Sequence, residues 1–301
     1  MTKPVVFGEC VQGASHKRSE LECQDSYKRI EFDDGTVILA VADGHGSKSC
    51  PYSKTGSSIA VNVFCKTMKE LKEGFADDPE TLLTYLNREG DTKLALSIDA
   101  EWKKRVLKVH TNNKREAPID ENGDKIKAEI YKAYGSTLVG LMITPTFLFA
   151  FQLGDGDITY IDDHGIDAVL QGDKILGTET HSLSKIDCWK KVITVTRRRA
   201  SDEELPCLFM LSTDGFANSY KNEAEFKKTC QDYYDMIKQH GPSAVDANLK
   251  AWLEETSELG CGDDITLLMA YFDKIDDAVE SEVDNGDEAE WSSNHALQVR
   301  P

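Results

Sequence analysis

Two kinds of hydrophobic pattern alternate along the chain. Short runs that are apolar throughout, or that alternate apolar and polar residues, are typical of strands. The strands predicted in this way lie at 5–11, 26–32, 36–42, 136–143, 147–153, 157–161, 166–170, 191–196, 207–212 and 265–272. The dipeptide Asp34-Gly35 favours a tight hairpin between the second and third runs.

Helical spacing of apolar residues occurs in two further places. It runs from residue 56 to 71, which predicts an amphipathic helix of about four turns. A second helix is predicted between Pro242 and Gly260. The lysine-rich region at about 74–130 is more polar and weakly helical. We expect it to form a helical excursion on the surface of the same domain, with Trp102 packed on a helix surface.

The order of these elements indicates the fold class. Hairpin-connected strands favour antiparallel sheets over a β-α-β series. Two such sheets packed face to face, each covered by helices, would bury strands that are apolar on both faces, so we predict an α+β fold. Residues 1–272 would form this domain. Residues 273–301 carry nine acidic and two basic side chains, and we expect an acidic, disordered tail.

Composition excludes several classes of protein. The 301 residues are 40% hydrophobic, enough for a sizeable core, and the formal net charge of −18 disfavours nucleic acid and anionic membranes as partners. The apolar stretch at 138–153 is broken at 144–146 and is too short to span a membrane. The first residues do not resemble a signal peptide, and the eight cysteines lack paired spacing. These features predict a cytoplasmic protein with reduced thiols, and we expect a monomer.

Aspartates follow the ends of several predicted strands. The four segments are Asp43-Gly44, Asp155-Gly156, Asp214-Gly215 and Asp263-Asp264. A single Asp-Gly pair is usually a turn, but four acidic segments at strand ends are harder to explain as turns. A strand end holds a side chain in a fixed position, and glycine allows the backbone to approach an ion closely. Mg²⁺ or Mn²⁺ prefers carboxylate oxygens and water as ligands. The pattern therefore indicates a divalent-cation site.

These segments resemble, in their order, the signature motifs of the PP2C (PPM) family of metal-dependent Ser/Thr protein phosphatases, over roughly residues 5–272. The matching segments are Gln24-Asp25, Asp43-Gly44-His45-Gly46, Gly135-Ser136-Thr137, Gly154-Asp155, Ser212-Thr213-Asp214-Gly215 and Asp263-Asp264-Ile265-Thr266. The second and last of these are the most specific. Ser15-His16 followed by Cys23-Gln24-Asp25 is most similar to a bacterial branch. The resemblance implies a four-layer α-β-β-α sandwich, which agrees with the reading of the strands.

The resemblance also implies a mechanism. Asp43 would bridge two Mn²⁺ or Mg²⁺ ions, Gly44 would offer its carbonyl to one of them, and Asp214 and Asp263 would complete the other ion's shell. A hydroxide between the ions would attack the phosphorus of phosphoserine or phosphothreonine directly, without a covalent phosphoenzyme. His45 would be the general acid for the leaving oxygen.

Phosphate binding is where the sequence departs furthest from the family. Glu20 occupies the position of the usual phosphate-binding arginine. One of His16, Lys17 and Arg18, in the same loop, would then supply the positive charge. The sequence does not distinguish among these three.

Two further departures concern the metals. Gln24 stands where the family has a glutamate. The resemblance implies that this glutamate, like Asp25, acts from the outer shell of a metal ion, so with glutamine the second ion would bind less tightly. Asn218 stands where many members have an aspartate of a third metal site. A third ion, with Asp155 as its main ligand, is therefore less favoured.

Three functions remain as alternatives. The first is an active phosphatase acting on a phosphorylated protein, as the counterpart of a Ser/Thr kinase. The second is a catalytically silent PP2C-like module that binds phosphoproteins. The departures at Glu20 and Gln24 favour it, as does Ser47, which replaces the last glycine of the family's DGHGG motif. The third is a two-metal hydrolase of small phosphoesters. The basic run at 197–199 is a candidate docking site for acidic phosphosubstrates, although such runs are more typical of solvated loops.

Overall fold

The ten predicted strands all form in the structure, a computed structural model that describes residues 3–170, 181–199 and 205–274. The strands are β1 (Val5–Val11), β2 (Ser26–Glu31), β3 (Val37–Ala42), β4 (Leu138–Ile143), β5 (Phe147–Leu153), β6 (Asp157–Asp162), β7 (Gly165–Ala168), β8 (Ile193–Arg198), β9 (Cys207–Ser212) and β10 (Ile265–Phe272). The tail predicted to be disordered lies outside the described residues from position 275 onward.

Eight α-helices occur in the described part of the chain. They are α1 (Ala14–Arg18), α2 (Ser53–Gly74), α3 (Pro79–Glu89), α4 (Ala95–Asn112), α5 (Lys127–Lys132), α6 (Asp214–Ala217), α7 (Glu223–His240) and α8 (Pro242–Leu259). A π-helical turn at Gly90–Leu94 joins α3 to α4, and a 3-10 turn covers Cys188–Lys191. No helix among the described residues is both long enough and apolar enough to cross a membrane.

The strands form two antiparallel sheets that pack face to face. The first sheet has the order β1-β10-β9-β6-β7 and the second β2-β3-β4-β5-β8. Alternation along a strand sends successive side chains to opposite faces. On β3, Leu39 and Val41 join Phe209 and Leu211 of β9 between the sheets, whereas Ile38 faces the helices. Each sheet is thus buried on both faces, and the predicted α-β-β-α sandwich is confirmed.

Helices cover the outer face of each sheet. Helices α2 to α5 pack on the sheet that contains β3, and α7 and α8 pack on the sheet that contains β10. Trp102 of α4 is fully buried and donates a hydrogen bond from Nε1 to the Gly56 carbonyl at 3.0 Å. The expectation that Trp102 packs on a surface was therefore wrong, because α4 contributes to the core.

Helix α7 was not predicted, and α2 is longer than the predicted four turns, with 22 residues. The pattern for α7 was present in the sequence. Asn222 caps its first turn by accepting a hydrogen bond from the Glu225 N–H, and Phe226, Tyr233 and Ile237 lie on its buried face. Charged residues between these apolar positions obscured the helical period.

Candidate metal centre

The strand-end aspartates converge at one edge of the sandwich. In the first sheet, Ser212 pairs with Leu267 and with Asp157, so the end of β9 meets the starts of β10 and β6. In the second sheet, β3 ends beside the start of β4, where the Asp43 N–H donates to Thr137 Oγ1 at 2.9 Å. The connections at this edge carry the four predicted acidic segments.

The carboxylates are close enough to disturb one another's ionisation. Burial, followed by Asp214, Asp263 and Asp155, raises the pKa of Asp43 well above its usual range. Burial, with Asp155 and Asp263, raises the pKa of Asp214 to about 7. Burial also raises the pKa of Asp263. The fold therefore holds negative charge together at a cost that a cation would relieve.

Asp25 lies behind this cluster, nearly removed from water at 4% exposure. Its Oδ2 accepts hydrogen bonds from the hydroxyls of Thr213 at 2.7 Å and Thr266 at 2.8 Å. Its Oδ1 has no hydrogen-bond donor among the described residues, and its carboxylate lies next to that of Asp43. Burial and Asp43 raise the pKa of Asp25 well above its usual range. Sequence analysis identified Asp25 and included both threonines in the quoted motifs, but it did not predict that their hydroxyls orient Asp25.

Close backbone approach brings the acidic motifs together, and glycine makes it possible at two positions. A Cβ on Gly44 would lie 2.7 Å from the Gln24 carbonyl oxygen and 2.9 Å from the Ser53 carbonyl carbon. A Cβ on Gly215 would lie 2.1 Å from the Asp264 carbonyl oxygen. Any larger residue would push the aspartate motifs apart.

His45 lies beside the cluster, as its motif predicted. Its N–H donates to the Gly135 carbonyl at 3.2 Å, and a Cβ on Gly135 would clash with its ring at 2.6 Å from Cδ2. Burial lowers the pKa of His45, Asp155 opposes this effect, and Lys185 reinforces it. The ring is thus within electrostatic range of the acidic cluster while being tightly packed.

The structure distinguishes among the three candidate phosphate-binding residues, whereas the sequence did not distinguish among them. The Lys17 ammonium pairs with Glu254 Oε1 of α8 at 3.1 Å. His16 instead points to the acidic cluster, with Nδ1 2.9 Å from Asp264 Oδ1 and Nε2 3.8 Å from Asp263 Oδ1. His16 is therefore the member of this group that lies against a predicted metal ligand.

Arg18 lies near the acidic cluster, but among the described residues it makes no close contact with a carboxylate there. It is exposed, and its guanidinium lies next to the Gly262 backbone, where a Cβ would come within 3.6 Å of Nη2. Gly262 immediately precedes Asp263. Arg18 thus borders the centre without the close carboxylate contacts of His16.

Asp264 has a role that sequence analysis missed. It is 3% exposed, and its Oδ1 accepts a hydrogen bond from the Gly13 N–H at 2.6 Å. Its Oδ2 accepts another from the Gln24 N–H at 2.7 Å. This carboxylate therefore ties both ends of the loop that carries His16. The signal in the sequence was the second acidic residue of the Asp263-Asp264 pair.

The predicted weakness of a third metal site has a structural counterpart. The Asn218 amide donates a hydrogen bond to Asp214 Oδ2 at 2.9 Å. This contact occupies one oxygen of Asp214 with a neutral donor, where an aspartate would offer another anionic ligand. Asp155 remains within electrostatic range of Asp214.

The basic run at 197–199 is built into the fold. Arg197 donates to the Val169 carbonyl at 3.2 Å, and Arg198 forms two hydrogen bonds with Glu80 at 2.7 and 2.5 Å. Arg199 donates to the Thr144 carbonyl at 3.3 Å and lies 4.4 Å above the ring of Phe272. These contacts favour a structural role for the run over substrate docking.

Comparison with known proteins agrees with this architecture. The sequence profile of the family described as protein phosphatase 2C matches residues 12–254. The chain belongs to that family. Family membership makes it a relative of phosphatases that act on phosphoproteins. No curated protein matches the chain.

Solved bacterial phosphatases share the fold at low sequence identity. The catalytic domain of the serine/threonine phosphatase PstP, in complex with two manganese ions, has 14% identity and a TM-score of 0.55 over 90% of this chain and 99% of that one. The S. agalactiae serine/threonine phosphatase has 16% identity and a TM-score of 0.56 over 89% and 99%. Pseudomonas aeruginosa PppA has 15% identity and a TM-score of 0.53 over 90% and 99%.

Proposed function

We propose that this protein is an active phosphatase that hydrolyses phosphoserine and phosphothreonine in proteins with two Mn²⁺ or Mg²⁺ ions. The observation that supports this proposal most strongly is the cluster of Asp43, Asp214 and Asp263. These carboxylates come from three separate strand ends, and burial and like charge raise their pKa values. A fold that concentrates repelling carboxylates in this way is suited to divalent cations.

The polar atoms around the cluster fit such ions. Asp25 Oδ1 and Gln24 Oε1 are buried and have no hydrogen-bond donor among the described residues, so both are available to waters of a hydrated ion. Asp43, Asp214 and Asp263 would hold the ions, with the Gly44 carbonyl as a further ligand. Bound ions would supply positive charge to the phosphate and lower the pKa of water.

The chain's own residues would position the substrate. Asp264 lies against His16 Nδ1, which leaves Nε2 on the side of Asp263. We assign the substrate phosphate contact to His16, in place of the family arginine. His45 would hold the proton that passes to the leaving serine or threonine oxygen. Its tight packing against Gly135 fixes the ring for this role.

The proposal is tested by measuring phosphate release with and without Mn²⁺ from two substrates. One is a phosphothreonine peptide and the other is p-nitrophenyl phosphate. An active phosphoprotein phosphatase releases phosphate from the peptide only with metal, and Asp43→Asn abolishes the release. A silent module would bind the peptide and release nothing. A hydrolase of small phosphoesters would cleave p-nitrophenyl phosphate and leave the peptide intact. Either of these last results would overturn the proposal.

The proposed physiological setting follows from the same chemistry. The substrate would be a protein phosphorylated by a Ser/Thr kinase. The assignment to the cytoplasm and to a monomer rests on the sequence expectations alone.

A further inference from the structure

Two thiols face each other beside the acidic centre. Cys10 lies near the end of β1, and Cys23 immediately precedes Gln24. Their Sγ atoms are 3.4 Å apart, and both residues are half-buried. The proposed mechanism uses neither thiol, so the pair requires its own explanation.

The two chain segments run side by side at this point. Cys10 Sγ lies 3.8 Å from the Asp25 carbonyl oxygen, and Cys23 Sγ lies 3.8 Å from the Val11 carbonyl oxygen. Each thiol therefore sits against the backbone of the opposite segment. A disulfide has a sulfur–sulfur bond of about 2.05 Å, so the sulfurs would have to approach by roughly 1.4 Å.

We propose that Cys10 and Cys23 form a reversible redox site, in which mild oxidation joins them in a disulfide that restrains the intervening loop and slows the phosphatase reaction. Both S–H bonds break and one S–S bond forms. The two protons and two electrons reduce an added diazene oxidant, such as diamide, to the corresponding hydrazine. The effect on the reaction rests on the proposed function, whereas the disulfide itself does not.

The position of the pair explains why the disulfide would affect the centre. The loop between the two cysteines carries His16, and Asp264 ties it to Gly13 and Gln24. Pulling Cys23 toward Cys10 would move Gln24 and its neighbour Asp25, whose carboxylate faces Asp43. A displacement of about 1 Å in a catalytic centre can lower a rate up to about 100-fold. We expect oxidation to lower kcat/KM about ten-fold.

The thiols are accessible enough to react, although slowly. The hydrogen bond with Cys10, followed by burial, raises the pKa of the Cys23 thiol. Because the thiolate is the reactive form of cysteine, a raised pKa of the Cys23 thiol slows its oxidation. A time course should resolve the oxidation.

The test uses the full chain with Cys261→Ser, because Cys261 is the exposed cysteine and would otherwise form bonds between molecules. The metal-free protein is treated with diamide, blocked with iodoacetamide in denaturant, digested and mapped by mass spectrometry. We expect a linked peptide pair containing Cys10 and Cys23, which disappears with dithiothreitol. Cys10→Ser and Cys23→Ser are the matched controls and should give no linked pair.

Two functional readouts follow the mapping. A cross-link over this short loop should raise the unfolding midpoint by roughly 5 °C. After Mn²⁺ is added, the oxidised protein should cleave p-nitrophenyl phosphate about ten-fold more slowly, and dithiothreitol should restore the rate. The Cys10→Ser variant should keep its rate after diamide.

The outcomes separate this inference from the proposed function. Free Cys10 and Cys23 after prolonged treatment would overturn the redox site, whatever the activity. A mapped disulfide with an unchanged rate in an active enzyme would overturn the regulatory effect. If the reduced protein lacks phosphatase activity, the proposed function and the regulatory effect fail together, and the mapping and the unfolding midpoint still decide the disulfide.

Discussion

Two charged regions that the sequence singled out behave in opposite ways in the structure. At the acidic edge, Asp43, Asp214 and Asp263 are held together although they repel one another, and Asp25 keeps a buried oxygen without a donor among the described residues. In the basic run at 197–199, every guanidinium has a carbonyl, a carboxylate or a ring as partner. Charge that the fold leaves uncompensated indicates a function, whereas charge that is paired within the fold needs no functional explanation.

The largest expected effect is at the acidic edge. Asp43→Asn keeps the side-chain size and removes the central charge, so metal binding should fail and kcat/KM should fall by about 10³-fold or more. The measurement is Mn²⁺-dependent phosphate release from a phosphothreonine peptide, with circular dichroism to check folding. Asp167→Asn, on the exposed part of β7, is the matched control and should retain activity. Wild-type activity in the Asp43→Asn variant would show that the acidic edge is not the catalytic centre.

The second effect concerns pH and metal together. The pKa of Asp214 rises from 3.8 to about 7 on folding, so between these values the folded protein binds more protons than the unfolded chain. The metal-free protein should therefore lose stability as the pH rises through this range. Since protons compete with Mn²⁺, the metal should raise the unfolding midpoint about 5 °C more at pH 8 than at pH 5.5.

The matched control for this prediction is Asp214→Asn. That variant should show a flatter dependence of its metal-free stability on pH and a smaller response to Mn²⁺. If Mn²⁺ stabilises the protein equally at both pH values, the carboxylates are not coupled to the metal as proposed.

The third effect compares two neighbouring basic residues, one assigned to phosphate binding and one paired on the surface. His16→Ala should lower kcat/KM for a phosphopeptide about ten-fold, because a charged hydrogen bond to phosphate contributes roughly 1–3 kcal/mol. Lys17→Ala should have less than a two-fold effect, since its ammonium pairs with Glu254 on the surface. Mn²⁺ affinity, measured in parallel, separates phosphate binding from a disturbance of Asp263. Equal effects of the two substitutions would refute the assignment.

The smallest effect is expected in the basic run. Arg198 and Glu80 form an exposed pair, and such pairs contribute little to stability. Arg198→Ala should leave both the unfolding midpoint and phosphatase activity nearly unchanged. A ten-fold loss with a phosphoprotein, but not with p-nitrophenyl phosphate, would instead identify the run as a docking site.

The fold could be predicted from the sequence where the pattern is local. Alternating and apolar runs located each strand of the described residues, because a strand's side-chain period is visible within a few residues. The same approach missed α7 and misplaced Trp102 on the surface. Lysine-rich helices can bury one side, and only their contacts with α2 show which residues this side contains.

The candidate site, like the fold, could be predicted from the sequence where the pattern is local. The motifs identified Asp43, Asp214 and Asp263, which the structure brings to one edge. They did not indicate that Asp264 bonds to Gly13, a contact between residues 251 positions apart. Such a contact depends on the pairing of β1 with β10, which no local pattern specifies.

The sequence by itself determined the strands, the antiparallel sandwich and the order of the acidic motifs, since all of these follow from residue type and short-range spacing. Only the tertiary structure decided which basic residue faces the carboxylates and which thiols meet. His16 and Lys17 are adjacent in sequence, yet one contacts Asp264 and the other Glu254. The physical reason is that a short helical turn sends neighbouring side chains in different directions, and the surrounding sheet and α8 determine what each one meets.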